Sequence, residues 1–174
     1  MTKASLKAVG AGAAALTLAL QTGAAQAAVG PDAAACAPRS GRTALLVDVR
    51  GFRARAGSLR IALYGSDPAS FLTRGGALRR IDLPVGRAAS MPVCVALPSP
   101  GRYAIAVRHD ENGNGDTDWD DGGGFSRNPQ LSLAARPRFD DVAIDARRGV
   151  QTVPVTLNYR SGFTIGPAVP SGKR

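Results

Sequence analysis

From Thr43 onward, large apolar residues recur at every second position. Leu45, Val47 and Val49 alternate with Leu46, Asp48 and Arg50. Leu59, Ile61 and Leu63 alternate with Arg60, Ala62 and Tyr64, and Val93, Val95 and Leu97 with Cys94 and Ala96. Tyr103, Ile105 and Val107 alternate with Ala104, Ala106 and Arg108. Val153, Val155, Leu157 and Tyr159 alternate with Pro154, Thr156 and Asn158. A period of two places each apolar set on one face of a half-buried strand. Residues 77–83 and 140–146 are weaker strand candidates.

The pattern predicts about seven strands separated by Gly, Pro, Asp and Ser turns. Pro98-Ser99-Pro100-Gly101 joins two of them as a hairpin. The expected fold class is all-β, a single antiparallel β-sandwich over residues 43–160. Pro154 cannot donate a ladder hydrogen bond, so the last strand is expected at an edge. Residues 67–73 suit one helical turn, with Ser66 or Asp67 as cap and Pro68 at the first helical position. The Gly-, Pro- and Ser-rich tail, residues 161–174, is expected to fray.

The first 27 residues follow a different logic. Lys3 and Lys7 precede an uncharged Ala/Leu-rich stretch, and Ala25-Gln26-Ala27 gives the small-x-small pattern of a cleavage site. This reads as a signal peptide cleaved near Ala27, in preference to a buried N-terminal helix. The stretch is short for a membrane span, and no transmembrane segment is expected in the mature chain. The expected location is periplasmic or secreted. Two cysteines, Cys36 and Cys94, lie after the cleavage site. An even count in an exported chain favours a disulfide over two separate thiols. The bridge would tether residues 28–42 to a strand.

The chain has 174 residues, with 21 Gly and 12 Pro, and 44% are apolar, so turns are many and a core is feasible. Its formal charge is +9, or +7 without Lys3 and Lys7. Coiled coil, collagen and highly charged disorder are excluded. The arginines, Arg53, Arg55, Arg79, Arg80, Arg147 and Arg148 among them, are scattered and not interleaved with aromatics. No nucleic-acid partner is expected. An unidentified envelope protein or glycan fits an exported basic chain better.

Against that basic background, six of the 13 acidic residues fall within residues 110–121. Asp110, Asn112 and Asn114 occupy positions 1, 3 and 5 of a calcium loop. Gly115 takes the sharp-turn position 6, Asp116 position 7, Asp118 position 9 and Asp121 position 12. Hard oxygen donors two residues apart let a short loop wrap one cation, and crowded carboxylates without one repel each other. Position 12 departs from the usual Glu, and Asp120 stands beside it as a substitute. The alternative is a solvated Asn-Gly and Asp-Gly turn. Ca²⁺ is the favoured cofactor, ahead of Mg²⁺, which demands tighter octahedral geometry.

His109 is the only histidine and Trp119 the only tryptophan. His109 can serve as a base for Ser126 or a metal-bound water, but a histidine bonded to its own loop is the favoured reading. Trp119 can stack on a ligand such as a sugar; packing down to anchor the loop is favoured. Arg127 is expected to pair with a loop carboxylate and Asn128 to hold a turn. No catalytic residue is assigned, since no nucleophile motif is present. The expected role is a non-catalytic binding or structural module. The alternative is a metal-assisted hydrolase using His109 and the acidic loop.

Residues 97–107, LPSPGRYAIAV, followed by His109-Asp110-Glu111-Asn112-Gly113-Asn114-Gly115, resemble the uncharacterised bacterial family DUF2141. Gly57-Ser58-Leu59-Arg60-Ile61-Ala62-Leu63-Tyr64, Phe125-Ser126-Arg127-Asn128 and Pro137-Arg138-Phe139-Asp140-Asp141-Val142 extend the resemblance over roughly residues 43–160. It implies an exported bacterial envelope protein with no assigned activity. The Leu-Pro-x-x-Gly-x-Tyr pattern is also similar to transthyretin-like and carboxypeptidase-regulatory-like sandwiches, which implies that fold, of the same broad kind as an Ig-like sandwich. Where the family often has Lys-Leu-Asp after Asn-Gly, this chain has the more acidic Asp116-Thr117-Asp118.

Overall fold

A computed structural model describes residues 27–168. The expected signal peptide therefore lies almost wholly outside the described residues. Within these described residues, ten strands form two facing sheets. In chain order they are β1 (Ala44–Arg50), β2 (Ser58–Tyr64), β3 (Arg79–Pro84), β4 (Met91–Ala96) and β5 (Gly101–Asp110). They continue with β6 (Gly122–Phe125), β7 (Ile144–Ala146), β8 (Val150–Thr156), β9 (Asn158–Ser161) and β10 (Thr164–Pro167). The small sheet runs β4-β1-β8; the large one runs β10-β9-β6-β5-β2-β3, with β7 against the start of β5.

The alternating residues meet between the sheets. Leu45, Val47 and Val49 from β1, Val93 and Val95 from β4 and Val153 and Val155 from β8 face Leu59, Ile61, Leu63, Ile105 and Val107 from β2 and β5. Most are fully buried. Each such side chain stabilises the fold by roughly 1.5–3 kcal/mol through lost water contact. The two-face reading of the sequence is thus correct for the inner faces of both sheets.

Three differences from the expectation have physical causes. The sandwich is not purely antiparallel: β8 runs parallel to β1, with Val47 opposite Val153. The run from Val153 to Tyr159 is also not one strand. It breaks at Leu157, whose amide bonds to Arg50 O at 2.9 Å, and β9 crosses into the large sheet. One apolar alternation continues through the corner because both halves face the same core. Finally, the first part of the expected tail is paired: β9 and β10 form a hairpin from Asn158 to Pro167, while residues 169–174 lie outside the described residues. Pro154 does lie on an edge strand, β8, opposite Asp48.

The N-terminal segment is tied down as expected. Cys36 and Cys94 form a disulfide with Cα atoms 5.9 Å apart. Val29 N donates to Pro92 O, and Cys94 N donates to Val29 O. Asp32 adds an ion pair with Arg79 and accepts the Ala96 amide.

The outer face of the large sheet carries a second, smaller core. Ala62, Tyr64 and Ala104 pack beneath Phe71, Phe139, Val142 and Ala143. Phe71 meets Tyr64 and Phe139 edge to face, with centroids 5.1 and 5.9 Å apart. The covering pieces are a 3-10 turn (Pro68–Ser70), capped by Asp67 as expected, and a short helix α1 (Phe139–Val142). This helix replaces the first half of the weak strand candidate at 140–146; its second half is β7.

Candidate functional site

Strand β5 is the long central strand, and it ends by placing His109 and Asp110 against β2 on one side. His109 also pairs with Gly122 of β6 on the other. Residues 111–121 are therefore the loop of a β5–β6 hairpin. Two close approaches fix where it starts and ends. Gly57, at φ +72°, presses against the start: a Cβ there would stand 1.9 Å from Asp110 O. Gly122 and Gly124 lie under the next element: a Cβ on Gly122 would stand 2.4 Å from the Tyr159 ring, and one on Gly124 2.7 Å from Thr156 O. Only glycine fits at these three positions.

Within the loop, short polar side chains hold the turns. Asp110, almost fully buried, accepts the Gly113 amide on Oδ1 and the Gly115 amide on Oδ2, both at 2.8 Å. Asn112 Oδ1 accepts Asn114 N, Asn114 Oδ1 accepts Asp116 N, and Asp118 Oδ1 accepts Asp120 N. These are successive side-chain-to-backbone turns, each reaching two residues on. Asn112 Nδ2 and Asn114 Nδ2 both donate to Asp118 Oδ2, at 2.8 and 2.9 Å. Those amides, Asn112 first, hold the Asp118 carboxyl below its ordinary value. Gly113 and Gly115 both take positive φ, as the sharp turn requires.

Asp121 is the exception. Its side chain is 5% exposed, and neither carboxylate oxygen has a hydrogen-bond partner. The Asp118 backbone amide tempers its charge without reaching hydrogen-bond geometry. Arg108 Nη1 lies 3.9 Å away, and Arg108 itself bonds to Thr117 Oγ1 and Gly115 O. Burial first, then the charges on Asp118 and Asp110, raise the Asp121 carboxyl above its ordinary value.

Of the six residues expected to hold a cation, the structure joins Asp110, Asn112, Asn114 and Asp118 in one bonded loop and sets Asp121 beneath it. Asp116 remains exposed, with no side-chain hydrogen bond. Among the described residues, no three His, Cys, Asp or Glu side chains gather closely enough to hold a metal by themselves. The donor set of this loop is mixed, since two of its members are asparagines. Asn112 and Asn114 turn their NH₂ groups, and not their oxygens, toward Asp118.

The remaining singled-out residues have structural partners. His109 is fully buried; Nε2 meets Ala56 O at 2.9 Å and Nδ1 meets the Tyr159 hydroxyl at 2.7 Å. A carbonyl only accepts, so Nε2 carries the proton and Nδ1 accepts from Tyr159. The Tyr159 oxygen in turn accepts the Arg53 amide at 3.1 Å. Ser126 is also fully buried: its Oγ accepts Ile105 N and donates to Val142 O, tying β5 to α1. His109 and Ser126 therefore do not pair.

Arg127 does not pair with a loop carboxylate. At φ +64° it turns to the carbonyls of Asp140 and Ala143 beside α1. Asn128 holds β8 by two hydrogen bonds, to Pro154 O and from Thr156 N. Trp119 does not pack down. It is 68% exposed, with the Arg160 guanidinium 3.2 Å from its ring centroid.

Arg53 and Arg108 organise the site, although neither stands out in the sequence. Arg53 Nε donates to Glu111 at 2.9 Å and Nη2 to Asp120 O at 2.7 Å, which clamps both ends of the loop. Scattered arginines carry no motif, so only folding reveals this. The Gly122/Gly124 spacing of two was the one available sign of β6.

No helix among the described residues is long and apolar enough to cross a membrane. Neither a curated protein nor a solved structure matches the chain. Residues 47–154, more than half the chain, match a family described as an uncharacterized protein conserved in bacteria, DUF2141. That span holds β2 to β7, most of β1 and β8, and the β5–β6 loop with Gly122 and Gly124 that close it, and the chain belongs to the DUF2141 family.

Proposed function

We propose that this is an exported, non-catalytic binding or structural module of the bacterial envelope, with its β5–β6 loop ordered by Ca²⁺. One observation carries the calcium half: Asp121 is a buried carboxylate with two unpartnered oxygens below a loop spaced for oxygen ligation. A buried carboxylate without a hydrogen bond, with Arg108 no nearer than 3.9 Å, is costly, and a hard cation offsets that cost. Asp110, Asn112, Asn114, Asp118 and Asp121, with the Asp116 carbonyl, would hold the ion. For their oxygens to reach the ion, Asn112 and Asn114 would release Asp118 and loosen the turns to Asn114 N and Asp116 N, so ligation would rearrange this part of the loop. The ion supplies charge neutralisation and loop rigidity.

The non-catalytic half rests on His109 and Ser126. Both are fully buried and each is engaged by structural partners, so no ring nitrogen is left as a base for the hydrolase alternative. The exported location is supported by the leader-like first 27 residues and the Cys36–Cys94 disulfide. Thermal unfolding with Ca²⁺ and with chelator tests the reading, because a ligand that binds only the folded state raises the midpoint. Equal midpoints across a wide calcium range would remove the cation from this account.

A further inference from the structure

Beside the loop, the outer face of the large sheet holds a trough of about 610 Å³. Strand register sets its floor. Arg80, Ala62, Ala106 and Phe125 lie side by side across β3, β2, β5 and β6, and Asp82, Arg60, Arg108 and Gly123 form the next rung. The small residues Ala62, Ala106 and Gly123 make the depression. Arg60 and Arg108 stand directly opposite each other, a pairing of like charges that weakens a sheet. Asp82 balances Arg60, and the acidic loop balances Arg108. Asp118 and Asp121 line the end of the trough next to the loop, while Arg74, Arg80 and Arg136 also line it, and none of these three has an ion-pair partner among the described residues. Leu72, which lines the trough and packs against the second core, is held at φ +57°, a conformation that non-glycine residues rarely adopt.

From this arrangement we infer that the trough binds an anionic polysaccharide, with Arg74, Arg80 and Arg136 taking its carboxylate or sulfate groups. Guanidinium forks match such groups two bonds at a time. Ala62 is buried under the second core, and the half-buried Ala106 and Gly123 beside it leave a floor of small residues against which the face of a sugar ring fits. The recess admits a single chain, whereas a bilayer surface needs a flat or protruding face. No ring in the trough is exposed enough to stack a nucleic-acid base, since Tyr64 is buried and Phe125 is half-buried. The inference goes beyond the calcium reading and does not depend on it.

The test is binding of the mature chain to polygalacturonate, dextran sulfate and neutral dextran, in chelator so that no cation bridges. Phosphatidylglycerol vesicles and a single-stranded oligonucleotide are the competing probes. Wild type binds at least one anionic dextran or galacturonan and not dextran; the carboxylate and sulfate arms say which group is read. The double variant Arg74→Glu/Arg80→Glu weakens that binding by about tenfold or more, while Arg147→Glu/Arg148→Glu, with the same net charge, keeps it. If the charge reversal impairs folding, Arg74→Gln/Arg80→Gln gives the same comparison. Equal losses in both double variants would reduce the effect to net charge and overturn the inference. So would tighter binding to vesicles or oligonucleotide, or no binding to either anionic polymer. Because calcium is absent throughout, failure here leaves the loop reading standing.

Discussion

Asp121 Oδ2 lies 3.9 Å from Arg108 Nη1, and no hydrogen bond satisfies either oxygen of that buried carboxylate. A charge held this way is a stability cost until something neutralises it. Burial and the charges of Asp118 and Asp110 disfavour the ionised form despite Arg108, so the neutral Asp121→Asn stabilises the calcium-free domain, by about 1 kcal/mol at most after solvent screening. The same variant loses the midpoint rise that Ca²⁺ gives the wild type. Melting curves of both proteins with and without calcium check the pair of effects, which no purely structural role produces together.

Gly57 is the backbone counterpart. Its φ of +72° and its contact with Asp110 O leave no room for a methyl group. Gly57→Ala should cost about 2 kcal/mol or more, because strain and displaced backbone add. Urea denaturation measures this. The variant also displaces Asp110, so its calcium affinity falls further than its stability alone explains.

Cys36 and Cys94 are 58 residues apart. In the chain-entropy account the bridge stabilises the fold by about 4 kcal/mol. Replacing both with alanine lowers the denaturation free energy by that order and frees the segment carrying Val29 and Asp32. Proteolysis near residues 28–42 reports the release.

Tyr159 gives a pH prediction. Burial, ahead of all other causes, pushes its hydroxyl up to about 12. In the unfolded chain it ionises near the ordinary value of 10. The unfolded state therefore loses its proton first, and the Tyr159 contribution to stability is whole below pH 10, declines above it and is lost by about pH 12. Tyrosinate absorbance should show a late-titrating component that Tyr159→Phe removes, and only while the fold persists.

The inner sandwich was legible because Leu45, Leu59, Ile105 and Val153 obey one rule, a side-chain period of two. That rule says nothing of strand direction, so the parallel β1–β8 pair was invisible. It also ran straight through the Leu157 corner, where both sheets share one core. β6 was hidden in Gly122-Gly123-Gly124, where glycine marks a tight fit against Tyr159 and Thr156. At the site, the spacing from Asp110 to Asp121 located the loop. The Arg53 clamp, the Arg108 contacts and the outward Trp119 depend on residues distant in sequence. Proximity along the chain points Arg127 to a loop carboxylate, yet at φ +64° it turns to the carbonyls beside α1.

The most direct test of the calcium loop uses Trp119, the only tryptophan, which lies within it. Terbium, a hard cation of similar ligand preference, emits when an excited tryptophan is close by. Selective tryptophan excitation should give sensitised terbium emission from the mature chain, displaced by Ca²⁺ and lost in Asp121→Asn. No sensitised emission, or emission that calcium does not compete away, contradicts a cation held between Asp110 and Asp121.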